Sequence, residues 1–536
     1  MTLARQILFR WLLPAATGAF LALALPPFEF SELGWCALVP LLFALEGCER
    51  GEAFRRGYIA GLVFFGATVW WTIHVTLPGM VAFVALLSLY FGLGAMWFAA
   101  LFARWAKEKD MAARNILVCV LGSAGWVVLE WVRGWFLYGG FGWNSIAITQ
   151  HQAVALIQFA GVTGVYGVSG LVCFVNLAFF FTIRRFVRQL CDRQVARRLS
   201  WEFYVAVLLV CGAFLHGYHQ IRRDESPRSL RVALVQGNIP QSLKFDPTEK
   251  PMILERYRTL TERAMVLKPQ LIIWPETATP EALRYDAESF ALVTNLAVRA
   301  GASLLTGTID MTPDSTPPEA FNGAIMVHSD GSLAGIYHKM HLVPFGEFIP
   351  LRRLAVPILK LIGPKDYEAS NDYGFTPGDR FTTFEVDGLR FGTVICFEDT
   401  LPEMYRQFVQ VGADFMVNIT NDAWFKYSPA SEMQLANAVF RAAETRRPLI
   451  RATNNGVTCV VDEFGFIDSH TRLDKFTDGS MVCEVKVPRL LGQTFYTRHG
   501  DWFIGVCLLV CGVGLVLLRR RDRGSSEVGS TEPVRP

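Results

Sequence analysis

Three segments of this sequence end an apolar run on a residue able to do chemistry, each beside a turn signal. Glu276 closes LIIWPE, Lys339 follows the run GIYH in GIYHKMHLVPFGE, and Cys396 closes GTVIC ahead of FED. Taken singly, each has an ordinary reading, because a cysteine in an apolar strand is usually core and a lone Glu or Lys is usually solvated. Together they supply a nucleophile, a base for its proton and a cation for a developing oxyanion, which is what acyl transfer through a covalent intermediate requires. In this reading Glu276 takes the Cys396 proton. The Lys339 ammonium favours the thiolate of a thiol whose ordinary pKa is about 8.5. Lys339 and the backbone N–H of Phe397 then hold the oxyanion.

The elements needed to bring these residues together are strands alternating with helices. RVALVQGNI, within 230–239, opens a polar region as a strand, and Ile253, Tyr257, Leu260, Ala264 and Leu267 mark a helix over 252–267 that Pro269 ends. Further strands are expected over 271–274 and 302–309. Hairpins are expected to turn at Asp330-Gly331 and Asp387-Gly388, the second pairing 381–386 with 389–396. A strand over 414–419, a helix over 432–445, and strands near Leu449, Cys459 and Met481 complete a layered α/β domain.

The rest of the chain is different in kind. With 52% hydrophobic and only 18% charged residues, 536 residues are too many for one ordinary domain and too apolar for an ordinary soluble enzyme. Seven apolar runs precede residue 222, at about 8–25, 33–48, 57–76, 80–103, 115–137, 154–183 and 201–220, and an eighth runs from Trp502 to Leu518. The first is read as a retained span, since no small-residue cleavage site followed by polar chain appears. Arg5 and Arg10, then Arg50, Arg55 and Arg56, then Arg104, Lys107, Lys109 and Arg114, then Arg184, Arg185, Arg188, Arg193, Arg197 and Arg198 fall in alternate loops. Basic loops stay cytoplasmic, so the polar region is expected outside and Arg519, Arg520, Arg521 and Arg523 inside. The expected division is a membrane domain over 1–221, a soluble domain over 222–500, a last span over 501–519 and a cytoplasmic tail over 520–536.

The formal net charge of +3 and the lack of a basic, aromatic-interleaved stripe argue against nucleic-acid binding. Of eleven cysteines, only Cys396, Cys459 and Cys483 lie in the polar region, without CxxC spacing, so neither a disulfide framework nor a metal site is expected. The chemistry asks for no cofactor. GWFLYGGFGWNSIAITQHQ, between the fifth and sixth runs, is aromatic and uncharged on the outer side. Its Trp135, Phe141 and Trp143 either form an interfacial belt or line the path of a lipid tail. LAVPILKLI at 354–362, inside a long stretch without clear periodicity, is expected to be an apolar lid.

WPET, YHK with LVPFGEFIP, and CFED resemble the Glu, Lys and Cys motifs of the nitrilase superfamily. With the membrane runs, LVQGNIPQSLKFDP, NITNDAWF and RPLIRATNNGVT, the chain resembles the apolipoprotein N-acyltransferase family over nearly its whole length. The resemblance implies a multi-span α-helical membrane domain plus a four-layer α-β-β-α nitrilase-like sandwich facing the periplasm, in a bacterial inner membrane. It implies transfer of a fatty acyl chain from a phospholipid, through a thioester on Cys396, to the N-terminal amine of diacylglyceryl-cysteine apolipoproteins. Glu347 and Glu398 match the family's supporting acidic positions, and Phe245, Trp143, Asn418 and Trp424 are the implied substrate contacts. Phe245 stands where the family commonly has Trp, and Lys426 follows AWF where Gly is expected.

A membrane-tethered amidase would use the same three residues but pass the acyl group to water; eight spans are excessive for a tether. A transporter with an outer binding domain is disfavoured by the scarcity of charges within the spans, Glu130 and Arg133 being the main exceptions. The basic-loop pattern makes one prediction testable at once. Alkaline phosphatase fused near Ser229 should be active and a fusion near Arg193 inactive; the opposite result refutes the orientation.

Overall fold

The structure, a computed structural model, describes residues 6–105, 111–136, 140–191, 199–221, 226–313, 315–316, 318–349, 374–489 and 492–526. The apolar segment 354–362 expected as a lid lies outside them, as do Arg5, Lys107, Lys109, Arg193, Arg197, Arg198 and the tail residues 527–536.

Five helices are long and apolar enough to cross a membrane: Leu77–Trp105, Ala112–Trp135, Val165–Cys191, Trp201–Gln220 and Trp502–Arg519, the last being part of a helix that continues to Ser526. The earlier runs fold differently from single long spans. Leu8–Leu23 and Ser31–Leu45 are shorter apolar stretches, and the second is a 3-10 turn, Ser31–Trp35, followed by the short helix Val39–Leu45. The third run is split between a 3-10 turn, Trp70–His74, and the helix before it, which starts earlier, at Arg50, and ends at Thr68. Its early start has a physical reason, since Arg56 is buried and bonds Glu52 at 3.1 Å and the Ala44 carbonyl. The sixth run breaks at Gly164, where φ is +68°, into two single turns ahead of the long helix.

Helices Arg50–Thr68 and Leu77–Trp105 approach closely because Gly57 offers no side chain; a Cβ there would lie 2.4 Å from the Phe91 carbonyl oxygen. The last helix returns to pack on Ala112–Trp135.

The polar region builds two six-stranded sheets. The first has the order β12-β1-β2-β3-β4-β5, where β1 is Arg228–Gln236, β2 Leu271–Ile273, β3 Ser303–Thr312, β4 Glu319–Val327, β5 Leu333–His338 and β12 Gly479–Val487. The second has the order β11-β10-β9-β8-β7-β6, where β6 is Thr383–Val386, β7 Leu389–Ile395, β8 Phe415–Thr420, β9 Leu449–Thr453, β10 Thr458–Val461 and β11 Ile467–Leu473. Side chains alternate across each strand. In β1, Leu230, Val232 and Leu234 join the core between the sheets, while Ala233 and Val235 face the helices Lys250–Met265 and Ala287–Ala300. Pro402–Gln410 and Ala430–Thr445 lie with the second sheet. The result is the expected α-β-β-α sandwich.

The sandwich is fixed to the helical part. Glu444 accepts from the Val165 N–H at 2.7 Å, at the start of a long apolar helix, and Gln158 donates to the Phe464 carbonyl at 2.7 Å. Trp71 and Phe425 rings meet edge-on at 4.4 Å.

Candidate active site

The three residues converge where strands from both sheets end. Glu276 follows β2 through Trp274-Pro275, Lys339 follows β5, and Cys396 follows β7 as the first residue of a 3-10 turn, Cys396–Thr400. Cys396 sits at φ +53°, a conformation non-glycine residues seldom hold, so the strand is turned sharply to present the thiol. Gly307 on β3 lets the Glu276 backbone settle in; a Cβ at 307 would stand 2.5 Å from Glu276 Cα.

Lys339 is 1% exposed. Its Nζ donates to Glu347 Oε1 at 2.8 Å and lies 3.8 Å from Glu276 Oε1. Asn322 Nδ2 donates to both carboxylates, at 2.7 Å to Glu276 and 2.8 Å to Glu347. The other Glu276 oxygen accepts from the Asn421 N–H at 2.8 Å, and the other Glu347 oxygen from the Val343 N–H at 2.8 Å. Both carboxylates are therefore held in one orientation about the ammonium. Glu398 accepts from the N–H groups of Ile395, Met340 and His341 at 2.8, 2.8 and 3.0 Å, and from the Tyr337 hydroxyl at 3.0 Å. It thereby joins the end of β7 to the end of β5.

Charge balance sets the protonation of the site. Burial pushes Glu276 above the ordinary carboxylate range, against the pull of Lys339. Burial works against the Lys339 ammonium, but Glu347 and Glu276 outweigh it and hold the group charged. Burial and then the Glu276 carboxylate raise the Cys396 thiol well above its ordinary value, more than Lys339 lowers it. Lys339 does favour the thiolate, as expected, but burial and the Glu276 charge outweigh it. The buried thiol is favoured in its protonated form, beside a carboxylate. Phe397 lies in the first turn after the strand, where N–H groups have no carbonyl within the turn.

The expected substrate contacts separate into two kinds. Asn418 is wholly buried, donates to the Cys396 carbonyl at 3.3 Å and accepts from Arg451 at 3.1 Å; it positions the cysteine turn from beneath rather than meeting a ligand. Phe245 and Trp424 are 45% and 49% exposed, each a few residues from a group bonded to Glu276. Trp143 is buried, stacked on Phe141 at 5.8 Å and tilted against Trp71 at 5.2 Å.

Several residues were missed. Lys244, wholly buried, donates to the Glu276 carbonyl at 2.9 Å, and burial pulls its pKa down to about 7. Its only sequence signal was its place in KFDP. Asn322, Asn421 and Tyr337 were not singled out either. Neither was the buried group in which Arg451 meets Asp399, Gln434 and Asp422 under the cysteine turn. Gln434 also donates to the Cys396 carbonyl at 2.8 Å. Among the described residues no group of His, Cys, Asp and Glu is placed to hold a metal ion.

Two family models match the chain: "Apolipoprotein N-acyltransferase N-terminal domain" over residues 17–178 and "Carbon-nitrogen hydrolase" over 231–491. An apolipoprotein N-acyltransferase of Geobacter metallireducens is 33% identical over 95% of this chain and 95% of its own. One of Pseudomonas syringae pv. tomato is 32% identical over 95% and 97%. A crystal structure of a carbon-nitrogen hydrolase from Helicobacter pylori G27 is 16% identical, covers 56% of this chain and 99% of its own, and gives a TM-score of 0.35.

The geometry puts Glu398 to a direct test. Glu398→Gln would turn an N–H₂ group toward the donors of Ile395, Met340 or His341, leaving buried polar groups unpaired at a cost on the order of 1 to 3 kcal/mol. Thermal unfolding in detergent should show a lowered midpoint, and Cys396 should react faster with iodoacetamide. An unchanged midpoint and reactivity would remove Glu398 from this role.

Proposed function

The chain belongs to the apolipoprotein N-acyltransferase family, and we propose that it acylates lipoproteins through Cys396. It is a membrane-bound acyltransferase with a nitrilase-superfamily catalytic fold. The observation that carries the site assignment is the meeting of Glu276, Lys339 and Cys396 at three strand ends, the first two inside one set of hydrogen bonds and the thiol close enough to feel both charges.

In the first step Glu276 takes the Cys396 proton as the sulfur attacks the ester carbonyl of a phospholipid. The oxyanion is held by the Lys339 ammonium and the Phe397 N–H. Collapse breaks the ester C–O bond, and the proton on Glu276 passes to the departing glycerol oxygen, so lysophospholipid leaves and a thioester remains. In the second step the α-amine of a diacylglyceryl-cysteine lipoprotein attacks the thioester. Glu276 takes the amine proton and returns it to the sulfur as the amide forms. Phe245 and Trp424 flank the Glu276 side of the site with exposed aromatic surface suited to acyl chains. The domain over 222–500 is assigned to the periplasmic face of the inner membrane by the basic-loop pattern.

The two-step scheme predicts ping-pong behaviour. A phospholipid with a labelled acyl chain should load the wild type and release lysophospholipid, and a diacylglyceryl-cysteine peptide should then remove the label as an amide. Cys396→Ser and Glu276→Gln should not load. Lys339→Met should load about 10²-fold to 10³-fold more slowly, the usual effect of losing one oxyanion donor. Because burial raises Glu276, the acid limb of the loading rate should lie above the ordinary Glu value of about 4.3. Label draining to free fatty acid at the same rate with and without peptide would make the enzyme a hydrolase.

A further inference from the structure

The C-terminal end of the helix Ala112–Trp135, with the turn after it, buries polar groups that acyl transfer at Cys396 does not use. Glu130, Arg133, Asn144 and Ser145 are all more than nine-tenths buried, and they line one cleft together with Phe65 and Tyr90. Among the described residues the Arg133 guanidinium has no ion pair, and its Nε has no hydrogen bond. Glu130 Oε2, Ser145 Oγ and both amide atoms of Asn144 are also unbonded. The other Glu130 oxygen is fixed by Trp126 Nε1 at 2.9 Å and the Ile146 N–H at 2.8 Å, so the free oxygen is held in place. Arg133 rests over the Phe65 ring at 5.4 Å.

Packing alone does not account for this group. Asn144 holds φ at +57°, which is strained for a side chain with a Cβ, yet its amide bonds nothing. Buried polar atoms are normally paired, and several unpaired in one cleft mark a place shaped for a polar partner. An arginine inside an apolar helix bundle is unfavourable unless an anion meets it. The walls beyond the polar end are Phe65, Phe91 and Leu129, and Tyr90 and Leu129 are only half-buried at the rim. An anion that carries apolar chains matches the chemistry of both ends of such a cleft.

We propose that this cleft is a lipid-headgroup site in which Arg133 holds a phosphodiester, with Asn144 and Ser145 bonding its ester oxygens. The free oxygen of Glu130 accepts from an ammonium or hydroxyl of the same headgroup. The site is separate from Cys396 but one turn away from it. Gly142, two residues before Asn144, packs under the Thr400 carbonyl of the cysteine turn. Trp143, whose indole N–H is also unbonded, reaches Phe425 through Trp71. The inference rests on the helices lying in a membrane and not on the roles given to Glu276, Lys339 and Cys396.

Native mass spectrometry of the full-length chain tests it, with Cys396→Ser as background so that no lipid is consumed. The detergent-purified protein is titrated with phosphatidylethanolamine, phosphatidylglycerol or diacylglycerol. Both phospholipids should be retained and diacylglycerol should not. Arg133→Gln should weaken phospholipid retention about tenfold or more, the loss expected for a charge-assisted hydrogen bond, and Arg133→Lys should restore part of it. Asn144→Gly relieves the strained φ, so its thermal midpoint should not fall while its retention does. A merely structural turn would leave retention unchanged in that variant. Equal retention of diacylglycerol, or unchanged retention in Arg133→Gln and Asn144→Gly, overturns the proposal. Displacement of the lipid by millimolar inorganic phosphate would make this a free-anion site and also overturn it. Failure of acyl loading with retention intact would count against the catalytic roles alone.

Discussion

Glu398 is where the two sheets are tied together at the site, and most of the local geometry follows from its being buried there. A carboxylate taken out of water needs its oxygens met by donors. Here the donors are the backbone of β7's last residue, the backbone following β5, and the Tyr337 hydroxyl. Burial lifts its pKa to about 7, against the pull of Lys339 and of those backbone N–H groups. Because the donors belong to opposite sheets, satisfying this carboxylate sets the position of Lys339 relative to Cys396. The second support lies below, where Asn418 and Gln434 hold the Cys396 carbonyl and Arg451 holds both of them. A cysteine at positive φ persists because it is bound from both sides.

The same constraint reaches the helical part. The helix Ala430–Thr445 carries Gln434 near one end, on the Cys396 carbonyl, and Glu444 near the other, on the Val165 N–H. The ten steps from Gln434 to Glu444 span about 15 Å of rigid rod at 1.5 Å per residue. Arg441, between them, meets the Thr400 carbonyl at 3.3 Å and pairs with Glu444. The turn that bears the thiol is therefore braced on a membrane helix. The Trp143, Trp71 and Phe425 rings make a second, apolar contact between the two parts. An enzyme taking its substrate from a bilayer gains from such bracing, since small displacements of a reacting group reduce rate steeply.

The sandwich was legible because its strands are short apolar runs ended by turn residues, and the three candidate residues because each stands at the end of such a run. The helix Ala287–Ala300 carried equally good signals, with Asp286 capping its start, Gly301 at its end, and Val293, Leu296 and Ala297 on one face, yet it was not read. β11, IDSHTRL, has no apolar alternation; pairing with β10 makes it a strand. Lys244 and Asn322 could not be read, because one buried polar residue in a motif looks like any solvated one until the fold shows what it bonds. The early membrane runs were read as single spans because apolar composition does not reveal where a helix breaks. How far burial raises the Cys396 thiol was not legible, because the sequence shows which charges are near but not the desolvation that outweighs them.

That desolvation bears on how one carboxylate would serve both halves of the proposed reaction. An exposed glutamate, with a pKa near 4.3, is a poor acceptor for a thiol proton and readily gives it back. Raising Glu276 by burial brings it closer to the groups it would exchange protons with in the proposed scheme, and general acid–base efficiency rises as that gap closes. Burial also raises the thiol, which avoids a standing thiolate open to oxidation. The two shifts are compatible only because Lys339 stays charged between Glu276 and Glu347, so that one negative charge more or less near Cys396 is always partly compensated. A dry site raises the base, protects the thiol and slows water's attack on the thioester. The buried lysine is what makes such a site electrostatically tolerable.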